Sequence, residues 1–243
     1  MAAEFDHLLA SAEPALASYL TGKLRLAAQP GDGAIACRDL FTPDGFDRAV
    51  APLLARHPDT DRRAVVSLWS LYYFSTLTIA PIVLWRRLGI ALPLALEDTS
   101  LIAAPDTGMA QAFGLAGTGK TVPGLTITQA LAPMFENHLR PAIGFVSGHC
   151  RLSPRLLWCN AAGYIDWILR ELDPGNDNAE GLELFATPRL CDGADNPFQG
   201  TIKRIPDASG EGLQSQRKVC CLRYMVPGVG GCGHTCPLPQ GRQ

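Results

Sequence analysis

Apolar residues recur along most of this chain at intervals of three and four, which predicts a mainly helical protein. Residues 5–24 follow this spacing, and Pro14 is expected to break or kink the helix. Thr42-Pro43 is typical of a helix cap followed by a first-turn proline, and His57-Pro58 of the end of that helix.

The best defined helix is predicted after Ser153, which is a suitable cap, with Pro154 at its first position. Apolar residues then line one face as far as Leu172, and residues 173–175 (Asp-Pro-Gly) end the helix. Helical spacing also covers residues 126–146, where two prolines interrupt it, and a shorter helix is expected after Ala179.

The stretch from Ala64 to Trp85 is 22 residues without a charge, and arginine pairs bracket it. This length is sufficient to cross a bilayer. However, the stretch contains several serines and threonines and Pro81, and arginines at both ends give no asymmetry of charge. The pattern therefore favours a helix buried in the core of a large domain over a membrane span.

Short apolar runs separated by turn-forming residues predict a small antiparallel meander in the middle of the chain. The runs are Leu92–Leu96, Leu101–Ala104 and Met109–Leu115. We therefore predict an α+β fold: a mainly helical domain with a small antiparallel sheet over residues 1–205, and a short C-terminal module over residues 206–243.

Composition limits the function classes. Hydrophobic residues make up 47 % of the 243 positions, which is enough for one well-packed core and an appendage. The net charge of −2 argues against general nucleic-acid binding, which needs a basic surface. From residue 201 onward, six basic residues face two acidic ones, so this part of the chain is about +4.

Four of the eight cysteines lie in the last 24 residues: Cys220, Cys221, Cys232 and Cys236. Adjacent cysteines are poor partners for a disulfide with each other. The N-terminus lacks the basic start and cleavage site of a secretory signal, so we expect a cytoplasmic, reducing location. Four thiolates in one short segment are typical of a soft transition metal or an iron–sulfur cluster.

Zinc and a two-iron cluster are both consistent with these four residues. Zinc usually takes ligands from pairs two to four residues apart, and Cys232 with Cys236 fits one such pair. Cys220 and Cys221 do not, because side chains of adjacent residues are expected to diverge. The chemistry therefore favours a two-iron cluster, and the alternative is a zinc-binding module without redox activity on a helical domain.

The segment Cys220-Cys221-Leu-Arg-Tyr-Met-Val-Pro-Gly, followed by Cys232-Gly-His-Thr-Cys236-Pro-Leu, resembles the C-terminal signature of the FhuF-like ferric-siderophore reductases. That signature has two adjacent cysteines, ten residues, a cysteine, two residues and a final cysteine. Residues 152–160 and 196–198 are also similar to the family. The departure is the three-residue interval before Cys236, which we interpret as one inserted residue.

The resemblance implies an oxidoreductase of siderophore-mediated iron uptake, which reduces ferric iron in a hydroxamate-type siderophore by one electron and releases ferrous iron. It implies a 2Fe-2S cluster held by Cys220, Cys221, Cys232 and Cys236. Hard oxygen ligands suit ferric iron better than ferrous iron, so reduction allows exchange. The resemblance also implies an electron donor, which the sequence does not identify. It further implies a transient association with a membrane importer.

Residues that flank the cysteines have two interpretations. Lys218, Arg223 and Tyr224 either tune the cluster and face an anionic partner, or form a basic surface with a packed aromatic. His234 lies in the inserted interval and is an alternative ligand, since histidine ligation raises a cluster's potential. The retained Cys236-Pro-Leu favours ligation by four cysteines, with His234 in an exposed loop.

The remaining candidates have structural interpretations. Cys37, Cys150, Cys159 and Cys191 lack ligand spacing and are predicted to be small buried hydrophobes. Trp158 and Asn160 are predicted to be a core aromatic and a hydrogen-bonding partner.

Residues 114–121 satisfy the phosphate-loop pattern, in which a helix must follow the loop. Val122-Pro123-Gly124 follows at once, so we predict a glycine-rich surface turn.

Overall fold

The structure is a computed structural model that describes residues 2–26, 33–173, 179–207, 209–210 and 212–239. The helices are α1 (Ala2–Ala12), α2 (Ala17–Leu20), α3 (Cys37–Leu40), α4 (Pro43–Arg56), α5 (Arg62–Leu88), α6 (Ile127–Ala130), α7 (Ala132–Met134), α8 (Arg140–Cys150), α9 (Pro154–Leu172) and α10 (Ala179–Ala186). The strands are β1 (Leu24–Leu26), β2 (Ala34–Ala36), β3 (Ile90–Ala91), β4 (Thr99–Ala103), β5 (Ala110–Leu115), β6 (Lys120–Thr121), β7 (Ile202–Pro206) and β8 (Leu213–Arg217).

Helix α5 forms the centre of the core. The Asp61 side chain caps it by accepting the Arg63 backbone N–H at 2.8 Å, and Gly89 ends it in the left-handed conformation at φ 65°. Within the described ranges it is the helix whose length and composition match a membrane span, and 94 % of its most apolar stretch is buried. Because α1, α4, α9 and β5 pack around it, nearly all of its side chains from Ala64 to Trp85 are buried, as predicted for a core helix.

Helices α4 and α9 have the predicted bounds. Thr42 caps α4, since its hydroxyl accepts the Gly45 backbone N–H at 3.2 Å. Helix α9 starts at Pro154 and ends at Leu172. Ser153 occupies the cap position of α9, but its side chain makes no capping hydrogen bond there. Residues 174 and 175, predicted to end α9, lie outside the described residues.

The N-terminal segment differs from its prediction at one end. Helix α1 ends at Ala12, before Pro14, as expected. The predicted extension of helix to Leu24 is wrong, because residues 24–26 form β1 and pair with Phe113–Leu115 of β5. Gly22, at φ 74°, makes the turn between the helical part and the strand. Long-range sheet pairing thus overrides the local helical spacing.

The main sheet has the strand order β1-β5-β4-β2. Strands β4 and β5 form the predicted antiparallel pair, with Leu101 opposite Phe113. Leu92–Leu96 was expected to be a strand and is not, because Pro93 cannot donate to a ladder and a 3₁₀ turn begins at Leu96. The pairing of β1 with β5 is parallel, so the sheet is mixed. The mainly helical α+β class is confirmed.

The glycine-rich segment 114–121 connects two strands. Strand β5 leads into it, and Lys120–Thr121 form β6, which pairs with Ile90–Ala91 of β3. No helix begins at Lys120, as predicted. A phosphate loop depends on the amides of a helix N-terminus, so this segment lacks the necessary geometry.

Residues 126–150 are helical in several pieces, as predicted, and a π-helical turn over Phe135–Leu139 joins α7 to α8. This turn places His138 in the core, where its Nε2 lies 2.5 Å from the Tyr73 hydroxyl. The same hydroxyl lies 3.6 Å from the Cys37 sulfur, and His138 Nδ1 lies 2.9 Å from the Leu94 carbonyl oxygen. We call Cys37, Tyr73 and His138, all fully buried, the core cluster.

Candidate functional site

An antiparallel hairpin of β7 and β8 leads into the cysteine-rich segment. Ile202 pairs with Arg217, and the Lys218 backbone N–H donates to the Thr201 carbonyl at 2.8 Å. Both strands pack against α9. The predicted boundary between residues 205 and 206 falls within β7, so the hairpin has one part in each predicted unit.

Residues 218–236, which we call the cysteine loop, pack on the N-terminal half of α5. Cys221 and Val226 are buried against a small apolar group on this helix: Ala64, Leu68 and Leu71. The Ser67 hydroxyl, on the same helix, donates to the Cys221 carbonyl oxygen at 2.6 Å. A largely buried helix therefore fixes the position of Cys221.

The four cysteine side chains of the loop interact with one another. The Cys221 and Cys232 sulfurs lie 3.3 Å apart, and the Cys220 thiol is also hydrogen-bonded to Cys221. The charge of Cys236 acts on both Cys220 and Cys232. The expectation that the adjacent cysteines diverge is wrong, because the chain bends at residues 218, 219 and 222 and is not extended there.

These contacts separate the pKa values of the thiols. Hydrogen bonds from Cys220 and Cys232 lower the pKa of Cys221, and the nearby Arg217 adds to the effect. The same bonds to Cys221 raise the pKa of Cys220 and of Cys232. Cys221 is therefore the first of the three to become a thiolate, the form that binds metals.

Arg217 was missing from the predicted site residues, although it is one of the six basic residues counted from residue 201 onward. Its side chain is only 5 % exposed, and Nη2 lies 3.2 Å from the Cys221 sulfur. A buried guanidinium needs an anionic partner, and the sulfur of Cys221 provides one. The sequence signal was the charged pair Arg217-Lys218 close before a cysteine pair, which does not by itself show that one side chain is buried and the other exposed.

Asn160 connects the two long helices beneath the loop. From α9, its Nδ2 lies 3.1 Å from the hydroxyl oxygens of Ser67 and Ser70 on α5. Asn160 is fully buried, and its predicted role as a hydrogen-bonding partner is confirmed. The chain Asn160–Ser67–Cys221 joins α9 to the cysteine loop through α5.

The donor set fits an iron–sulfur cluster better than a closed single-ion site. Among the described residues, no three His, Cys, Asp or Glu side chains converge as they would around one metal ion. The Cys221–Cys232 separation of 3.3 Å is close to the ~3.8 Å between two thiolates on one tetrahedral ion with bonds of about 2.3 Å. A two-iron cluster takes its four ligands as two such pairs, so a close pair with two nearby thiols suits it.

A cleft of about 420 Å³ opens beside the cysteine loop, and we call it the loop cleft. Helix α9, strand β8 and the loop itself contribute its walls. Of the four loop cysteines, Cys232 is the one among its described lining residues. The volume lies within the range of about 300–1,000 Å³ that is usual for small-molecule sites.

The flanking residues differ in position. Arg223 and His234 line the loop cleft, and His234 is exposed, as expected for a loop histidine. Lys218 is exposed, and Tyr224 is 41 % exposed rather than packed. The structure thus brings Arg223 to the cleft and leaves Lys218 and Tyr224 on the outer surface of the loop.

The scattered cysteines follow their prediction with one exception. Cys37, Cys150 and Cys159 are buried, as predicted. Cys191 is exposed, so its predicted burial is wrong, because it lies in a turn-rich segment between α10 and β7. Trp158 is buried and packs edge-on against Phe198 at 4.9 Å, which confirms its core role.

Comparison with known proteins identifies the family. The sequence profile of the family described as "Ferric iron reductase FhuF-like transporter" matches residues 67–209, more than half of the chain. This match ends before the cysteine loop. The chain is also 33 % identical over 111 residues to a protein named "Ferric siderophore reductase" from Escherichia coli (strain K12). That similarity covers 44 % of this chain and 37 % of the relative's length. The chain therefore belongs to the FhuF-like family.

Proposed function

We propose that this protein is a ferric-siderophore reductase that holds a 2Fe-2S cluster on Cys220, Cys221, Cys232 and Cys236. Membership of the FhuF-like family supports the reductase function. The observation that carries the proposed cofactor is the gathering of four interacting thiols in one loop beside a cleft. Soft thiolates are the ligands that iron–sulfur clusters use in proteins.

Several residues of the chain suit such a cofactor. Such a cluster, when bound, supplies electrons one at a time, as reduction of ferric iron requires. Four thiolates bring negative charge into a partly buried loop, and the buried guanidinium of Arg217 offsets part of it. Leu68, Leu71 and Val226 exclude water from one side of the loop, which strengthens these electrostatic interactions.

The proposed reaction transfers one electron and forms no bond between protein and substrate. A ferric ion and three hydroxamate groups, each carrying one negative charge, make a neutral complex. The ferric ion gains one electron and becomes ferrous, an external one-electron donor loses one, and the complex acquires a charge of −1. Ferrous iron suits hard oxygen ligands less well, so it leaves the chelator. No general base or nucleophile is required.

We place this reaction in the cytoplasm, with an external one-electron donor and a transient association with a membrane importer. The exposed Lys218 and Tyr224, on the outer surface of the loop, provide a basic and aromatic contact area for a donor of acidic surface. This surface is separate from the loop cleft, since neither residue is among those that line the cleft. Electron entry and substrate contact are therefore proposed for different sides of the loop.

The test is purification without oxygen, followed by iron, acid-labile sulfide and zinc analysis. We expect two irons and two sulfides per chain and visible absorption that bleaches on reduction. Mixing the reduced protein with an equimolar ferric trihydroxamate should restore the absorption and produce ferrous iron. A colourless protein that contains zinc and no labile sulfide would contradict the proposal and favour the zinc-binding module.

A further inference from the structure

The loop cleft combines unsatisfied polar atoms with one of the cysteines. Asn160 and Arg217 line it and are at least nine-tenths buried. Within the described residues, Asn160 Oδ1 and Arg217 Nε have no hydrogen-bond partner. Arg223, which also lines the cleft, has the same deficit at its Nε. Each such group costs about 1–3 kcal/mol when left unpaired, so polar atoms beside the cleft favour a polar ligand there over an apolar one.

The charge of the cleft indicates the kind of ligand. Asp166 contributes a carboxylate, and it is already held by Arg170 at 3.2 Å and Arg204 at 2.8 Å. Arg170, Arg217 and Arg223 line the cleft together with Asp166. Three guanidinium groups and one carboxylate make the lining positively charged overall. Guanidinium groups bind oxygen anions through paired N–H donors. A ligand rich in negatively polarised oxygen fits this lining.

The cleft also has an aromatic part to its lining. Tyr19 and Trp167 both line it, and their rings meet edge-to-face with centroids 6.1 Å apart. Tyr164 contributes a third ring. Aromatic surfaces bind methylene chains and exclude water from them. A ligand with an oxygen-rich centre and hydrocarbon arms therefore matches both kinds of lining, the charged and the aromatic.

We propose that the loop cleft is the binding site for the ferric trihydroxamate complex, with its oxygen shell at Arg217 and Arg223 and its hydrocarbon arms at Tyr19 and Trp167. This inference depends on the proposed function for the identity of the ligand. It adds the place of binding and the residues that recognise the complex. The bound complex then shares its cleft with Cys232, which gives electron transfer a short route from the proposed cluster.

The two arginines also favour the reduced complex. The bound complex changes from neutral to −1 when its iron gains an electron, and the nearby guanidinium groups interact more strongly with the second state. They therefore assist the electron transfer as well as the binding. Arg223 is the better residue for mutation, because Arg217 also contacts the Cys221 sulfur.

The binding test uses the gallium(III) complex of a neutral cyclic trihydroxamate, which has the shape of the iron complex but is not reduced. Calorimetry on the full chain should show binding that weakens about tenfold in Arg223→Gln, as expected for loss of a charge-assisted hydrogen bond. Binding should recover only in part in Arg223→Lys, because lysine restores the charge but not the paired donors. Lys218→Gln is the matched control, since it removes an exposed charge of the same loop outside the cleft. The affinity of Lys218→Gln for the gallium complex should differ from that of the native protein by less than twofold.

Trp167 provides an independent readout that does not depend on Arg223 variants. It is half-buried and lines the cleft, whereas Trp69, Trp85 and Trp158 are buried elsewhere. The gallium complex should therefore change tryptophan fluorescence in the native protein and not in Trp167→Phe. Unchanged gallium affinity in Arg223→Gln, or an unchanged fluorescence response in Trp167→Phe, overturns the proposed binding site.

The outcomes separate this inference from the proposed function. One outcome is that the native protein reduces the ferric complex, while neither Arg223→Gln nor Trp167→Phe changes its measured response to the gallium complex. The reductase function then stands, and the proposed binding site in the loop cleft is wrong. If the gallium complex binds with the expected dependence but the protein holds no cluster, the binding site stands and the reductase function fails.

Discussion

The core cluster and the cysteine loop both contain cysteine beside polar partners, but their electrostatics are opposite. Burial raises the pKa of Cys37 to about 11 and lowers the pKa of His138 to about 4, so both groups are neutral in the folded protein. In the loop, hydrogen bonds from Cys220 and Cys232 lower the pKa of Cys221. The difference lies in the neighbours, since the loop supplies thiol donors and a guanidinium while the core supplies mainly desolvation.

This difference explains why we propose metal binding for the cysteine loop and not for the core cluster. A metal ligand must be deprotonated, and burial in the core cluster raises the free energy of the Cys37 thiolate. Its groups satisfy one another: the Tyr73 hydroxyl contacts both Cys37 and His138. The lining of the loop cleft, in contrast, retains polar atoms without partners among the described residues. We therefore assign stability to the core cluster and chemistry to the cysteine loop.

The largest expected effect separates the two regions directly. Cys221→Ser should lower iron per chain by more than about tenfold, because loss of a ligand exceeds the cost of an outer-shell change. Cys37→Ser should leave the iron content unchanged, and so should Cys191→Ser, a matched control at an exposed position. Iron and labile-sulfide analysis after anaerobic purification measures this. Full iron content in Cys221→Ser would remove the distinction between the regions.

The next effect concerns the stability of the core cluster. Burial lowers the pKa of His138 in the folded protein to about 4, from an ordinary histidine pKa of 6.5. The unfolded chain therefore binds a proton first as the pH falls, and the stability that neutral His138 contributes is complete above pH 6.5. We expect the free energy of unfolding to drop by about 2 kcal/mol between pH 7 and pH 5, and by about 3 kcal/mol by pH 4.

Urea unfolding of the native protein and of His138→Gln measures this dependence. The substitution removes the titrating group, so the difference between the two proteins isolates it from the carboxylates. The variant should lose this part of the pH dependence while retaining the contribution of the acidic residues. Equal slopes in both proteins would show that His138 is not held neutral in the core.

A smaller effect is expected from the buried charge beside the loop. Arg217→Met removes a positive charge 3.2 Å from the Cys221 sulfur. Reduction of the proposed cluster adds a negative charge, so the variant should have a lower midpoint potential, by on the order of 100 mV. Spectroelectrochemical titration measures it. Lys218→Met, which removes an exposed and screened charge, should shift the potential much less.

The smallest effect tests the link between core and loop. Ser67→Ala removes the hydroxyl that donates to the Cys221 carbonyl and accepts from Asn160. We expect the free energy of unfolding to fall by about 1–2 kcal/mol, because a buried carbonyl loses its donor. Thr78→Val is a suitable control, since this buried hydroxyl donates to the Phe74 carbonyl within α5 in the hydrogen bonds described. Urea unfolding should show little change in the control, and equal losses in both variants would exclude a specific link.

Local sequence signals predicted those elements whose ends carry their own chemistry. Thr42-Pro43 marks the start of α4 and Pro154 the start of α9, because cap and first-turn residues act within a few positions. The length of α5 followed from its long uncharged and mostly apolar run. The strand Leu24–Leu26 was not predictable in this way, since its conformation depends on pairing with β5 about ninety residues later.

The sequence by itself determined the mainly helical composition, the buried central helix and the grouping of four cysteines, because each depends on residues close together in the chain. The tertiary structure alone decided that Arg217 contacts the Cys221 sulfur, that Asn160 ties α9 to α5 beneath the loop, and that a polar cleft opens beside Cys232. Asn160 and the serines of α5 lie far apart in sequence, and only the packing of α9 against α5 brings them together. Arg217 lies four residues before Cys221, but the local sequence does not decide that its guanidinium turns toward the sulfur, since that direction depends on how the hairpin packs against α9.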